Sequence, residues 1–369
     1  MKQSFITVVC VGVLVVILNL GLWPFHAPKN EVTWVPDRNG LRFGDYGTVM
    51  SSGSFPVSGS PDKEPCSIEI WLQPALPDGG GTILTFYTPR KATRFSLYQS
   101  ITDLLVQSAG HHPSRGAKFY VSDIFRHAQP LFVTVASGAQ GSTVYVNGAP
   151  TRTAPQFRLN GSDCAGRLIV GDSVLQQDTW SGDVRGLAIY HSELSASAVL
   201  RHYDAWTQNG RPVITPNERN VALYLFDERT GNVVHDCAGS GIDLKIPATY
   251  TVLDQLLLEP FWNEFYMRWS YWTNLLKNIV GFIPLGFCFY AYFSLVCRWE
   301  RSTLITVVAG ALVSLTIEIG QAYLPTRQSG TTDLFTNTLG TYLGVLAYQA
   351  AGVERWLRTW YSAGSSKPS

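Results

Sequence analysis

The chain shows two kinds of hydrophobic pattern, and the first is a set of long runs without charge near its two ends. One run covers residues 5–23, and three more cover residues 278–297, 302–317 (continuing past Glu318 to 324) and 334–353. Each has about the 20 residues that a helix needs to cross the hydrocarbon core of a bilayer. The pattern predicts an α-helical membrane domain of four spans.

Basic residues flank these runs at Lys2, in the connection 298–301 and in the tail 354–369. Cytoplasmic segments carry the excess of Lys and Arg, so both termini are predicted to be cytoplasmic. Residues 1–24 are expected to stay as an N-terminal anchor, because the apolar core of a cleaved signal peptide has only about 7–15 residues. A cleaved signal peptide is the alternative, and in both cases the segment that follows is exported.

Aromatic and leucine side chains recur at three- and four-residue spacing within residues 251–277, just before the second run. They are Leu256, Leu257, Phe261, Trp262, Phe265, Tyr266, Trp269 and Trp272. One interpretation is a helix in the outer membrane interface, where Trp and Tyr are enriched. The other is a connecting helix that packs through the same apolar face.

The second pattern is a period of two in short runs between about residues 34 and 250. The predicted strands are 67–72, 83–87, 95–98, 104–107, 118–121, 131–136, 143–146, 168–170, 184–190 and 222–226. Asn147-Gly148 is a turn typical of a two-residue hairpin, and residues 195–206 are predicted to form a helix with Ser195 as its N-cap. These short strands, separated by turn residues, predict an all-β antiparallel sandwich.

Four segments of this region carry a resemblance to a known family: CSIEIW at 66–71, TVYVNG at 143–148, WSGDVRGLAIY at 180–190 and LFDERTG at 225–231. They resemble concanavalin A-like, LamG-type domains. The resemblance implies a jelly roll over residues 30–250, placed as an insertion in the first outer loop of the membrane domain. It also implies binding of a glycan or a protein.

The carboxylates of the predicted sandwich favour binding over hydrolysis. Related glucanases use two carboxylates on one strand face. Asp227 and Glu228 are adjacent and therefore point to opposite faces of a strand, and Glu69 stands alone between apolar neighbours. We therefore expect no glucanase chemistry here.

No cofactor and no metal site is predicted. Jelly rolls of this kind can hold calcium, but no stretch has a density of acidic ligands that would define a site. His111-His112 lacks a Cys or a third His at ligand spacing, which favours a solvated loop. Cys66, Cys164 and Cys237 allow either one disulfide, with its pairing open, or three buried free thiols.

Composition sharpens this division of the chain. Only 15% of the 369 residues are charged, against about 25% in soluble proteins, and the deficit lies in the four apolar runs. The net charge of +1 gives no electrostatic basis for binding nucleic acid. The predicted partner is therefore a membrane together with an envelope ligand.

Polar side chains inside apolar runs are costly and usually have a partner or a purpose. The candidate membrane polar cluster consists of Asn278, Glu318, Gln321, Arg327, Asp333 and Asn337, which we expect to lie at similar depth. Small or helix-breaking residues that would allow close helix contact are Gly281, Pro284, Gly286, Gly340 and Gly344.

These same residues resemble the VanZ-like family of bacterial membrane proteins, through NIVGFIPLGF at 278–287, EIGQ at 318–321, Arg327, and DL and NTLGTYLG from 333 to 344. The resemblance implies a VanZ-like domain over residues 278–353 and a multi-pass protein of the bacterial cytoplasmic membrane. It links the chain to teicoplanin resistance without implying a reaction. Asn274 departs from the family pattern, in which an acidic residue would stand there.

Two functions fit these patterns. The favoured one is an envelope protein that binds a cell-surface glycan, a peptidoglycan component or a lipid-linked ligand and is anchored by its spans. The alternative is an enzyme or transporter in which Glu318, Arg327 and Asp333 act on a lipid-linked substrate. A purely structural role is a third interpretation, with Glu318 paired to Arg327.

Overall fold

The computed structural model describes residues 2–56, 64–88, 91–108, 117–174, 178–253, 255–264, 269–350 and 355. The chain divides into two compact units. The helical unit comprises Met1–Ala27 and Gln255–Ser369, and the jelly-roll unit comprises Pro28–Asp254. The predicted fold class, an all-β sandwich together with an α-helical membrane region, is confirmed.

The jelly-roll unit is built from two antiparallel sheets of eight strands each. The strands are β1 (Val32–Trp34), β2 (Leu41–Phe43), β3 (Val49–Ser51), β4 (Ser67–Pro74), β5 (Gly80–Thr88), β6 (Lys91–Ser100), β7 (Asp103–Ser108), β8 (Ala117–Val121), β9 (Leu131–Gly138), β10 (Gly141–Val146), β11 (Ala149–Ala154), β12 (Arg167–Val170), β13 (Gly182–Tyr190), β14 (Asn220–Tyr224), β15 (Val233–Val234) and β16 (Leu244–Lys245). The first sheet has the order β1-β2-β13-β4-β9-β10-β11, with β14 also paired to β13. The second has the order β15-β16-β3-β12-β5-β6-β7-β8.

Alternation along the strands produces the core between the sheets. In β4, Ile68, Ile70 and Leu72 belong to the main buried apolar cluster, together with side chains of the second sheet such as Phe86 and Leu97. The residues between them in β4 therefore point to the outer face of the first sheet. Burial of each such apolar side chain stabilises the fold by about 1.5–3 kcal/mol.

The predicted hairpin turn at Asn147-Gly148 and the predicted helix with Ser195 as its N-cap are both confirmed. Asn147 and Gly148 have φ angles of 51° and 80°, as the tight turn between β10 and β11 requires. Helix α2 (Ala196–Asn209) begins after Ser195, whose Oγ accepts the Ala198 N–H at 3.2 Å. It covers part of the outer face of the first sheet through a second apolar cluster.

A disulfide joins Cys66, just before β4 of the first sheet, to Cys164, just before β12 of the second. This settles the pairing that the sequence left open, and the alternative of three buried free thiols is wrong. Cys237 is a free, exposed thiol.

The helical unit contains α1 (Lys2–Leu22), α3 (Phe261–Glu264), α4 (Trp269–Ala291), a π-helical turn (Tyr292–Cys297), α5 (Ser302–Gln321) and α6 (Thr331–Gln349). Three stretches are long and apolar enough to cross a membrane: Ser4–Leu22, Tyr271–Cys297 and Ser302–Gln321. Among the described helices, α6 does not meet that measure. Four spans and their orientation therefore stay predictions.

Several boundaries differ from those expected. Helix α4 begins at Trp269 rather than at residue 278, because the amphipathic stretch before the uncharged run continues the same helix. The described part of the expected helix over 251–277 is thus divided between α3 and the start of α4, while residues 265–268 lie outside the described residues. Helix α6 begins at Thr331, and the expected end at residue 353 also lies outside them.

Helix α5 buries mainly small and polar side chains, together with Ile317, and exposes apolar ones. On α5 the buried face is a stripe at four-residue spacing with one final step of three, made of Ser302, Thr306, Gly310, Ser314, Glu318 and Gln321. Leu304, Val308 and Leu312 are about half exposed on the other side of the same helix. An apolar exterior around a small and polar interior is typical of helices packed within a bilayer.

Candidate functional site

The predicted packing residues lie mainly where α4 and α6 cross. A Cβ atom at Gly340 or Gly344 would collide with a backbone carbonyl of α4, and one at Gly286 with the Thr341 carbonyl of α6. These glycines let the two helix backbones touch. Gly281 has open space where its Cβ would be, and Pro284 lies inside α4.

Glu318 joins the end of α5 to the start of α6. Its side chain is 1% exposed, and its Oε2 accepts the Gly330 N–H at 2.8 Å. Gly330 is the residue before α6, where main-chain N–H groups lack helical acceptors and the helix dipole favours a negative charge. The carboxylate therefore holds the connection between the two helices closed.

The three polar residues of α4 and α6 are also hydrogen-bonded across helices. Asn278 Nδ2 donates to Asp333 Oδ1 at 2.7 Å, and Asn337 Nδ2 donates to Ser314 Oγ at 3.0 Å. The Asn337 Oδ1 atom is buried and accepts no hydrogen bond from the described residues. The buried seam between α5 and α6 thus retains an open acceptor.

Gln321 and Arg327 bind the end of α1 instead. Gln321 Nε2 donates to the Gly21 carbonyl at 2.8 Å, and the Arg327 guanidinium donates to the Trp23 carbonyl through Nε at 2.8 Å and through Nη2. Carbonyls at a helix C-terminus lack intrahelical donors and attract cations. Arg327 therefore binds a main-chain carbonyl, and the six predicted residues divide between the α4–α5–α6 seam and the end of α1.

The jelly-roll unit contains a buried charged network that the sequence analysis missed. Glu69 does not stand alone: it is fully buried, accepts the Tyr190 hydroxyl at 2.8 Å and lies 3.0 Å from His202 Nδ1. The other ring nitrogen of His202 lies 3.2 Å from Glu218 Oε2, and Arg201 forms an ion pair with the same carboxylate. The helical spacing of Val199, His202 and Trp206 on α2 was the signal that could have found it.

This network fastens α2 to the first sheet. Burial lowers the pKa of His202, but its hydrogen bond to Glu69 and the charges of Glu69 and Glu218 raise it further, so that the net pKa lies above its ordinary value. The imidazolium can then donate from both nitrogens. Because His202 and Glu69 have no exposed surface, the arrangement is structural and offers no place for a substrate.

Beyond α2, the outer face of the first sheet carries a cleft of about 240 Å³, which we call the Arg42 cleft. Its lining residues are Arg42, Phe43, Gln73, Pro74, Ala75, Ala128, Gly182 and Asp183. Strand register creates it, because Asp183 of β13 lies opposite both Arg42 of β2 and Gln73 of β4. Three polar side chains thus form one row across neighbouring strands.

Hydrogen bonds fix the polar wall of the Arg42 cleft. Arg42 binds Asp183 through two contacts, Nε to Oδ1 at 2.8 Å and Nη2 to Oδ2 at 3.1 Å, and this pairing raises the pKa of Arg42. Gln73 accepts from Arg185 Nη2 at 2.5 Å and donates to the Ala128 carbonyl at 3.0 Å. The Arg185 guanidinium lies 5.7 Å from the ring centroid of Trp71.

None of the residues of the cleft was predicted. The signal was present in the period of two, since Trp71 and Gln73 share one face of β4 and Asp183 and Arg185 share one face of β13. Which strands are neighbours was not readable from the sequence. Among the described residues, no group of three or more His, Cys, Asp or Glu side chains is placed to hold a metal ion, and His111-His112 lies outside them.

Comparison with known proteins bears on both units. Residues 236–352 match the family model described as VanZ/LLP1, which confirms the resemblance of the C-terminal region. Together with the three apolar helices, the match identifies a membrane protein. No curated protein matches the chain.

Solved structures that match include a botulinum neurotoxin type C whose cell entry depends on two ganglioside molecules, at 16% identity, 48% coverage of this chain and a TM-score of 0.35. The chain spans 45% of that neurotoxin chain. A SAP-like pentraxin of Limulus polyphemus matches at 16% identity over 56% of this chain and 99% of its own, with a TM-score of 0.33. The CBM40 domain of a Ruminococcus gnavus sialidase, bound to α2,3-sialyllactose, matches at 14% identity over 44% and 95%, with a TM-score of 0.34.

Proposed function

We propose that this chain is a bacterial envelope protein whose jelly-roll unit binds a glycan outside the cytoplasm while the helical unit anchors it in the membrane. The Arg42 cleft is the observation that carries the proposal. In this cleft, fixed hydrogen-bonding groups line a concave surface, as ligand sites generally require.

The disulfide supports an extracytoplasmic position for this unit. Cys66 and Cys164 are bonded to each other, and such bonds persist in oxidising compartments but are rare in the cytoplasm. An exported jelly-roll unit would meet surface polysaccharide and peptidoglycan directly.

The chemistry of the Arg42 cleft suits a sugar. Arg42 and Gln73 present donors, Asp183 presents acceptors, and the exposed Ala75 and Ala128 add apolar surface. Sugars combine hydroxyl groups with apolar C–H faces and so need both kinds of contact. The polar groups are already held by their neighbours, which reduces the entropy lost on binding.

A saccharide panel tests this proposal. The full chain in detergent micelles is presented to surface polysaccharides, peptidoglycan fragments and simple oligosaccharides, and binding is measured for wild type and for Gln73→Ala. We expect Gln73→Ala to weaken binding about tenfold, because it removes one side of the cleft and leaves Arg185 without its acceptor. Arg152→Ala on β11 is the matched control, since Arg152 is exposed on the same sheet away from the cleft.

A second candidate function belongs to the helical unit: recognition of a lipid-linked envelope component. It is favoured by two buried acceptors, Gln321 Oε1 and Asn337 Oδ1, that have no hydrogen-bond partner among the described residues. Glu318 and Arg327 already serve main-chain groups, so we propose recognition there rather than a reaction. The link to glycopeptide resistance is tested by expressing Asn337→Leu in a teicoplanin-sensitive host, where wild-type resistance at equal membrane level would contradict this second function.

A further inference from the structure

Two guanidinium groups belong to the Arg42 cleft, because Arg42 lines it and Arg185 donates to its lining residue Gln73. Burial is the largest influence on the pKa of Arg185 and lowers it. The charges of Arg38 and Arg42 lower this pKa further, and the charge of Asp183 raises it. Besides the carboxylate of Asp183, the positive charges of two further guanidinium groups therefore act on Arg185. A local excess of positive charge attracts anions and disfavours cations.

Arg42 keeps part of its guanidinium available. Asp183 takes one N–H from Nε and one from Nη2, and no other described residue accepts from this side chain. The Arg42 side chain is 54% exposed, while that of Asp183 is 9% exposed. Since a guanidinium has five N–H donors, its remaining edge can bind a second anion in the two-contact geometry that carboxylates and phosphates favour.

Arg185, which donates to the cleft residue Gln73, is an incompletely compensated cation. The residue is 8% exposed, and its Nε is buried without a hydrogen-bond partner. Its acceptor among the described residues is the neutral Gln73 oxygen, and its other neighbour is the Trp71 ring. Removing a cation from water without a full counter-charge is unfavourable, and a bound anion in the cleft would offset that cost.

We infer that the ligand of the Arg42 cleft is an acidic glycan, bound through a carboxylate or phosphate group by the free edge of Arg42 and stabilised by the charges of Arg38 and Arg185. The inference rests on the proposed function and names its class of ligand. A uronic acid polymer and a glycerol phosphate polymer both supply this chemistry.

Calorimetric titration of the full chain in detergent micelles distinguishes these sources. The probes are a hyaluronan tetrasaccharide with uronate groups, a glycerol phosphate tetramer, and neutral chitotetraose. We expect one anionic probe to bind at least about tenfold more tightly than chitotetraose, because a charge-assisted hydrogen bond is worth more than a neutral one. The tighter of the two identifies the source, and its affinity should fall with added salt while that for chitotetraose does not.

Charge variants locate the effect. Arg42→Gln should abolish the preference for the anionic probe. Arg38→Gln should reduce it about threefold, because Arg38 is exposed and acts through its charge alone, and Arg38→Lys should restore it. Arg152→Gln should leave every affinity unchanged.

The possible results separate the two proposals. Equal binding of neutral and anionic probes, lost in Gln73→Ala, would overturn the acidic ligand and leave glycan binding standing. A preference for anions that survives both Arg42→Gln and Arg38→Gln would place the ligand elsewhere and overturn the inference. No binding to any saccharide would overturn both.

Discussion

The core of the jelly-roll unit and the buried face of α5 in the helical unit differ in the kind of side chain that they bury. The jelly-roll unit buries Phe, Ile, Leu and Val between its sheets, whereas α5 of the helical unit buries Ser, Thr, Gly, Glu and Gln and exposes leucine and valine. Burial of apolar surface from water can drive the first arrangement. It cannot drive the second in lipid, so close backbone contact and hydrogen bonds must hold the helices together.

Two of the buried carboxylates, one in each unit, have different kinds of partner. Glu69 lies against the imidazole of His202, and Glu318 accepts a main-chain N–H at the start of α6. The partner of Glu69 is an ionisable side chain on α2, whereas the partner of Glu318 is a main-chain N–H at the start of a helix. The consequences of breaking each partnership should therefore differ in size.

The largest effect is expected for His202→Ala. The change leaves the carboxylates of Glu69 and Glu218 near each other without the intervening cation, and loss of one partner of a buried ion pair costs about 3–5 kcal/mol. The measurement is hydrogen exchange of the α2 amides in the full chain. A loss of protection worth less than about 1 kcal/mol would contradict a charged His202 between Glu69 and Glu218.

The next effect is expected for Gly344→Ala in the helical unit. The new methyl group would collide with the backbone of α4, and such overpacking costs about 1–3 kcal/mol or more. Gly281→Ala is the matched control, because nothing lies near its Cβ position. Thermal unfolding in detergent should separate the two variants, and equal midpoints would mean that α4 and α6 do not touch as described.

Glu318→Ala should have a smaller effect, about 1–2 kcal/mol, because it leaves one buried N–H at Gly330 unsatisfied. Glu318→Gln keeps an oxygen that can accept the same N–H and should retain most of the stability. The comparison is again the thermal midpoint in detergent. If Glu318→Gln lowered the thermal midpoint as much as Glu318→Ala, the negative charge of Glu318 rather than its hydrogen bond would stabilise the helical unit.

The last expected effect is a dependence of jelly-roll stability on pH. Burial raises the pKa of Asp172 to about 7, and the carboxylates around His202 raise its pKa above the ordinary value of 6.5. In both cases the folded state binds the proton more tightly than the unfolded state, so stability falls as the pH rises.

The Asp172 contribution should fade between about pH 4 and 7, and the His202 contribution as the pH rises above 6.5. Urea unfolding of the jelly-roll unit within the full chain, followed at pH 5, 6.5 and 8, measures this trend. Asp172→Asn removes the first contribution and should flatten the lower part of the profile. Stability that rises with pH over this range would contradict both assignments.

Local patterns predicted much of this molecule because they depend on neighbouring residues. The hairpin at Asn147-Gly148 and the cap at Ser195 follow from backbone preferences that need no tertiary information. All ten predicted strands exist for a similar reason, since a period of two reports one buried face.

What the sequence could not supply is which elements become neighbours. The row formed by Arg42, Asp183 and Gln73 depends on the pairing of β2, β13 and β4, which lie far apart along the chain. The partners of Glu69 and Arg327 likewise come from distant segments. A strand also needs an alternating buried face of some length to be recognised. Strand β11 is exposed over most of its length, and β15 and β16 have two residues each, so these strands were not predicted.

The bond between Cys66 and Cys164 has a consequence for the response to proteases. It encloses a stretch of chain with a sequence separation of 98 residues, which contains β4 to β11. A protease that cuts once anywhere inside this stretch would leave both fragments covalently joined, so the nicked protein would keep its mass until a reductant was added. Limited proteolysis analysed with and without reductant should therefore give different fragment patterns.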